Sequence, residues 1–165
     1  MKNILKDKKV LITGATGGLG REFCYQLSDF GVKLYITSKT NDKLDSLQNE
    51  LVNKGVECKS KCVDFTKSKN ISDHLFVDVD ILINCAGVYI EKNLESLTIE
   101  DYDEIFDINL KTPFMLIKEV SKNMKKHRWG RIINIGSNSS YIGKENRSLY
   151  CSTKHAILGL SRSIN

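Results

Sequence analysis

The stretch Val10-Leu-Ile-Thr-Gly-Ala-Thr-Gly-Gly-Leu-Gly-Arg21 decides the fold. Val10 to Ile12 is a short apolar run that reads as a buried strand. Of the glycines that follow, Gly14, Gly18 and Gly20 set the spacing, and an amphipathic segment opens at once. The pattern describes a strand, a turn and a helix arranged around an anion. Gly14 permits the tight turn, Gly18 lets the main chain approach a pyrophosphate, and Gly20 lets the helix pack close on the strand. The free N–H groups of the helix start face the anion. The spacing is Thr-Gly-x-x-x-Gly-x-Gly, and on this stretch alone a glycine-rich turn without a ligand is the competing reading.

The 165 residues suffice for one domain, 1–165, with a real core and are too few for two ordinary ones. An apolar fraction of 41% is that of a globular chain and argues against disorder. No run is long and apolar enough to span a bilayer, so no membrane partner is expected. The basic start, Met1 to Lys9, leads into an apolar run that breaks at Thr13-Gly14, unlike a signal peptide, and cytoplasm is the expected compartment. The net charge of +5 includes a cluster at Lys122, Lys125, Lys126, His127 and Arg128. No aromatic residues interleave these charges, so a solvated helix end is favoured and no nucleic-acid partner is expected. Cys58 and Cys62 are followed by no second pair or histidine at zinc spacing, so no metal site is expected. The five cysteines read as reduced thiols, most of them packed as small hydrophobes.

Outward from the first turn, Leu19, Phe23, Cys24, Leu27 and Phe30 recur at helical spacing until Gly31. Val32 to Thr37 predicts a second strand. Asn41 or Asp42 caps a helix carrying Leu44, Leu47, Leu51 and Val52 and ending at Gly55. Val56 to Val63 predicts a third strand, less apolar and so nearer a sheet edge. Ser68 to Phe76 predicts a short helix, and Val79 to Ile83 a strongly apolar strand. Thr98 caps a helix with an acidic first turn that runs through Ile105, Leu110 and Val120, with a kink or break at Pro113. Arg131 to Ile135 predicts a fifth strand and Leu149 to Ile164 a last helix. Such alternation implies an α/β fold, a doubly wound parallel sheet in the order 3-2-1-4-5. Ligands of these sheets sit beyond the carboxyl ends of the strands, where Gly14–Gly20, Ser38-Lys39, Asp64, Asn84–Gly87 and Ser137 all fall.

Two clusters carry the chemistry. In dinucleotide folds an acid after the second strand binds a ribose 2′-hydroxyl, whereas a basic residue accommodates a 2′-phosphate. This chain has Thr37-Ser38-Lys39 and no acid there, which favours NADP(H) over NAD(H). Asp64 reads equally as an acceptor for an adenine amino group and as a cap for the following segment. Tyr150-Cys-Ser-Thr-Lys154 places a phenol and an ammonium on one helix face. A free phenol titrates near ~10, and a neighbouring cation stabilises the phenolate, so the pair suits general acid–base work. Gly130-Arg-Ile-Ile-Asn-Ile-Gly-Ser137 delivers Ser137 to the same edge, where its hydroxyl can bond a carbonyl oxygen.

Taken in order, Thr13–Gly20, Asp64, Asn84-Cys-Ala-Gly87, Asn109 within Ile108-Asn-Leu110, Ser137, Tyr150 and Lys154 resemble the short-chain dehydrogenase/reductase family over nearly the whole chain. The resemblance implies a Rossmann fold and hydride transfer between a nicotinamide cofactor and a carbonyl or secondary alcohol. It implies Tyr150 as proton donor, Lys154 on the nicotinamide ribose and beside Tyr150, Ser137 polarising the carbonyl, and Asn109 holding a water that links Lys154 to solvent. It further implies cofactor contacts from Gly14, Thr16, Gly18, Leu19, Gly20, Ser38, Lys39, Asp64, Asn84, Ala86, Gly87, Tyr150 and Lys154. The sequence resembles the 3-oxoacyl-(acyl carrier protein) reductase branch as much as any, which implies a small-molecule or thioester carbonyl as substrate and an acyl carrier protein as a candidate partner. Relatives of this kind form homodimers or homotetramers through the helix at 99–126 and the Tyr/Lys helix.

Three departures qualify the resemblance. Cys85 stands where the family more commonly has a second asparagine. The segment from Asp64 to Asn84 is short, so its helix is reduced, and apolar strand surface is expected to be exposed. The chain stops at Asn165, where family members continue into further strands and a substrate-covering loop, so a C-terminally truncated fragment is expected and strand 5 becomes an open edge. The alternative to an active oxidoreductase is therefore an inactive dinucleotide-binding module or an oligomerisation fragment.

Overall fold

The structure, a computed structural model, describes residues 2–67, 76 and 78–164. Five parallel strands, β1 (Lys9–Ile12), β2 (Lys33–Ser38), β3 (Cys58–Cys62), β4 (Ile81–Asn84) and β5 (Arg131–Asn134), form one sheet in the order β3-β2-β1-β4-β5. This is the topology the alternation implies. β1 lies at the centre, pairing Val10 with Leu34 on one side and with Ile81 on the other. The lysine-rich β3 sits at an edge, as its composition predicts. β5 is the other edge of this sheet.

The helices are α1 (Lys2–Leu5), α2 (Gly18–Ser28), α3 (Asn41–Asn53), α4 (Ile99–Phe106), α5 (Thr112–His127) and α6 (Ser148–Ser163). Because strand side chains alternate between faces, the sheet builds two cores. Val10, Ile12, Leu34, Ile36, Ile81 and Ile83 pack with Cys24 of α2 and with Leu44, Leu47 and Leu51 of α3. Leu11, Tyr35 and Leu82 face the other way, onto Leu116, Ile117, Val120 and Met124 of α5.

The helix expected over Ser68–Phe76 lies outside the described residues apart from Phe76. The exposure of apolar strand surface expected there is not found. Phe76 stacks on Tyr35 at 4.6 Å between ring centroids, and Val63 and Phe65 join the same core, leaving Tyr35 and Leu11 buried. Two further expectations are corrected in detail. Thr40, not Asn41 or Asp42, is the residue before α3, and its side chain makes no capping bond. Pro113 does not break the long helix. A π turn over Asp107–Lys111 joins α4 to α5, and Pro113 falls in the first turn of α5. Proline has no N–H to give to the carbonyl of Asn109 four residues earlier, so the chain takes the wider turn there. Thr98 caps α4 through a reciprocal capping box with Asp101, as its sequence predicts.

No helix among the described residues is long and apolar enough to cross a membrane. Among the same residues no group of three or more His, Cys, Asp or Glu could hold a metal ion. All five cysteines are free. Cys24, Cys58 and Cys151 are buried, whereas Cys62 is exposed. Burial pushes the thiols of Cys24 and Cys58 up to about 12, so both are chemically quiet.

Candidate active site

A cleft of about 590 Å³ opens at the carboxyl ends of the strands, over the point where the chain reverses direction between β1 and β4. That volume is within the range, about 300–1,000 Å³, of small-molecule and cofactor sites. Gly14, Thr16, Gly18, Leu19, Gly20, Ser38, Lys39, Asp64, Ala86 and Gly87 all line it. Ten of the sequence-derived contacts are thus brought together from the carboxyl ends of four strands, β1 to β4.

The glycines divide into two kinds. Gly14 has φ +65°, and a Cβ there would lie 2.7 Å from the Cα of Ala86. A Cβ on Gly20 would overlap the carbonyl oxygen of Gly14 and lie 2.8 Å from the Cα of Ala15. Both positions are closed by the fold itself. Gly18 has nothing within 4 Å of the position its Cβ would take, so its main chain borders open cleft. It begins α2, whose first turn has no acidic residue and whose preceding residue, Gly17, offers no side-chain cap. The helix start keeps its N–H groups for an anion.

At the far end of the cleft the hydroxyls of Thr16 and Ser38 are bonded at 2.6 Å. Lys39 follows, and Lys43, from the first turn of α3, lines the same wall. Neither lysine forms an ion pair with the described residues. Asp64 bonds to the segment that follows it and borders the cleft. It accepts from the N–H and hydroxyl of Thr66, at 3.1 and 2.7 Å. Those bonds, together with Lys67, hold its carboxyl below the usual carboxylate range. The donors and cations fit a dinucleotide that carries an additional phosphate.

Asn84 does not line the cleft. It is buried in β4, donating to Asn134 Oδ1 at 2.7 Å, and its own Oδ1 has no partner among the described residues. Asn134 donates in turn to Ser161 Oγ at 2.8 Å, which ties β5 to α6.

The second cluster sits on α6 and the elements against it. Lys154 is buried, and its Nζ donates to the carbonyl oxygen of Ile135 at 2.7 Å while lying 5.6 Å from the centre of the Tyr150 ring. Burial pushes the Lys154 ammonium below its usual range, opposed in part by the field of Cys85. Asn109, 3% exposed in the π turn, accepts from Val88 N–H at 2.8 Å. Its amide donates to the Val88 carbonyl at 2.9 Å and to Thr153 Oγ1 at 3.2 Å. It therefore clamps the loop after β4 to the helix bearing Lys154. Ser137 heads a short 3₁₀ turn, where its hydroxyl accepts from Ser139 N–H at 3.1 Å and donates to Asn138 Oδ1 at 3.2 Å.

Three residues were not singled out by the sequence. The hydroxyl of Thr13 accepts from Cys85 N–H and Ala86 N–H at 3.1 and 3.0 Å, fixing the cleft wall; its signal was its place at the head of the glycine motif. Lys43, four residues after Lys39, carried a signal in that spacing. Tyr89, whose ring meets Tyr150 at 5.0 Å, carried none.

A doubly wound sheet with a phosphate-type cleft at its reversal point and a Tyr/Lys pair beside it defines a class of nucleotide-dependent oxidoreductase folds. The family model for short chain dehydrogenases matches residues 8–165, and the chain belongs to that family. It is 33% identical over 162 residues to a 3-oxoacyl-[acyl-carrier-protein] reductase of Rickettsia bellii, a match covering 97% of this chain and 66% of that protein. A reductase of the same name from Aquifex aeolicus is 29% identical, with 97% and 67% covered. Among solved structures, a metagenomic short-chain oxidoreductase in complex with NADP superposes with a TM-score of 0.87 at 26% identity, covering 96% of this chain and 75% of that one. A bulky-bulky ketone specific alcohol dehydrogenase from Comamonas testosteroni gives a TM-score of 0.89 at 24% identity, with 96% and 66% covered, and shares the fold. The chain spans about two thirds of the length of the curated relatives it matches.

Proposed function

We propose that this chain carries the NADP(H)-binding and proton-transfer parts of a carbonyl reductase or alcohol dehydrogenase. The observation that carries the reading is one cleft, cation-lined at one end and open over Gly18, beside a buried Lys154 that faces the Tyr150 ring. NADPH, when bound, supplies a hydride to the carbonyl carbon. The pyrophosphate would be held by Gly18 and the start of α2, the 2′-phosphate by Lys39 and Lys43, and the adenine edge by Asp64. Tyr150 gives its phenolic proton to the carbonyl oxygen, so that a secondary alcohol leaves. The Lys154 ammonium stabilises the phenolate that remains. One of its three donors is spent on Ile135, which leaves two for ribose hydroxyls. Ser137 holds the carbonyl oxygen in place once its hydroxyl turns from Asn138. Asn109 gives both amide hydrogens to Val88 and Thr153, so a water leading to Lys154 would be held by its remaining acceptors.

A 3-oxoacyl thioester is the first substrate to try, because the Rickettsia and Aquifex relatives are named for that reaction. An acyl carrier protein, being acidic, would suit a chain of net charge +5. Exposed Ile99, Tyr102 and Phe114 on α4 and α5 support pairing with a second copy, which light scattering at several concentrations tests. A second reading is a module that binds NADP(H) without turnover. Calorimetric titration with NADPH and NADH, followed by NADPH oxidation with an acetoacetyl thioester, separates the two. Binding with Tyr150-dependent turnover supports the reductase, binding alone supports the module, and equal rates in wild type and Tyr150→Phe remove Tyr150 from the mechanism.

A further inference from the structure

We propose that Tyr89 is a positioning residue for Tyr150, held against it by Glu91 and Arg147; the inference rests on the reading of Tyr150 as proton donor. Tyr89 lies just after the cleft-lining loop of β4, remote from Tyr150 in sequence. The two rings meet with centroids 5.0 Å apart and planes at 78°, an edge-to-face contact. Tyr89 is 50% exposed, so core burial does not hold it there.

Its neighbours do. The Tyr89 hydroxyl donates to the Glu91 carboxylate. That carboxylate lies 3.2 Å from the Arg147 guanidinium, and the guanidinium sits 5.2 Å from the centre of the Tyr89 ring. Arg147 immediately precedes α6, whose first turn carries Tyr150. The main chain is tied at the same place, with Lys92 N–H donating to the Asn146 carbonyl at 2.9 Å. The loop and the helix start are therefore bound to each other through a ring contact, an ion pair and a backbone bond.

The brace answers a need of the chemistry. The torsion that turns an aryl ring about its stem is broad and two-fold. A phenol that must aim one O–H at a carbonyl oxygen needs that torsion restricted, and misplacement of the donor costs rate rather than affinity. Lys154 faces the Tyr150 ring from one quarter, and Tyr89 supplies a second, apolar wall.

The test uses the 165-residue chain. Tyr89→Ala lowers kcat for carbonyl reduction about tenfold and leaves NADPH affinity within about twofold. Tyr89→Phe, which keeps the ring and its Arg147 contact but loses the bond to Glu91, recovers part of kcat. A Phe variant as slow as the Ala variant overturns the proposal, and so does a loss of NADPH affinity equal to the loss of kcat. A raised KM with unchanged kcat makes Tyr89 a substrate contact and overturns it as well. If the wild-type chain binds NADPH but reduces no carbonyl, the reading of Tyr150 as a working acid falls by itself. Spectra of ring-13C tyrosine protein, with Tyr150 assigned from Tyr150→Phe, then decide the brace: a Tyr150 resonance that moves in Tyr89→Ala upholds it, and one that stays put overturns it.

Discussion

Alanine at Gly18 and at Gly20 should have opposite consequences, although the two glycines are separated by one residue. At Gly20 the added methyl meets main chain, the carbonyl oxygen of Gly14 and the Cα of Ala15, and neither can swing aside. Overpacking of this kind costs about 1–3 kcal/mol. Replacing glycine by alanine within a helix returns about 0.5–1 kcal/mol. The net expectation is a loss of about 1–2 kcal/mol, because the clash is with backbone. With a urea slope of about 2 kcal/mol/M, the midpoint should fall by about 0.5–1 M. At Gly18 the methyl enters open space, so the midpoint should hold or rise slightly. The same methyl occupies the approach of the pyrophosphate, and NADPH affinity should fall at least about tenfold, about 1.4 kcal/mol. Urea titration and calorimetry on both variants settle the matter. A Gly18→Ala chain that binds NADPH as tightly as wild type would refute the placement of the anion, and an unmoved midpoint in Gly20→Ala would refute the packing argument.

Lys39→Ala and Lys43→Ala should each weaken NADPH about fivefold, leave NADH unchanged and flatten the salt dependence of NADPH binding, measured by calorimetry at two ionic strengths. Asn109→Ala strands the N–H and carbonyl of Val88 and should cost about 2–3 kcal/mol in urea unfolding. Lys154 gives a pH signature. Burial lowers its folded pKa below 10.5, so the unfolded chain binds more protons between the two values and stability rises with pH across that window. The stability of wild type relative to Lys154→Met should therefore improve as pH climbs toward 10.5, and a gap independent of pH would contradict the burial of a charged amine.

The sheet was legible because all its strands but β3 contain short apolar runs with a turn signal after each, and because a parallel sheet places all such turns at one edge. The cleft was legible for the same reason: Gly14, Lys39, Asp64 and Ala86 each follow a strand, and topology alone assembles them. Asn84, the last residue of β4, is buried and bonded to Asn134, and Cys85, Ala86 and Gly87 beyond it line the cleft, a division the sequence pattern does not reveal. The π turn was hidden because Pro113 announces a missing hydrogen bond without saying how the helix absorbs it. Tyr89 was invisible because nothing in its neighbours' spacing refers to residue 150.

These less legible contacts converge on one short loop, Cys85 to Tyr89. Thr13 grips its start through the N–H groups of Cys85 and Ala86, and Asn109 grips Val88 by both backbone groups. Between those grips Ala86 and Gly87 wall the cleft, and just beyond them Tyr89 meets Tyr150. Asn109 also reaches Thr153, the neighbour of Lys154 on α6. The glycine motif, the π turn and the Tyr/Lys helix are distant in sequence, yet each is tied to this loop. A shift of the loop would move the cleft wall and Tyr150 together, which is the coupling that the proposed hydride and proton delivery to one carbonyl requires.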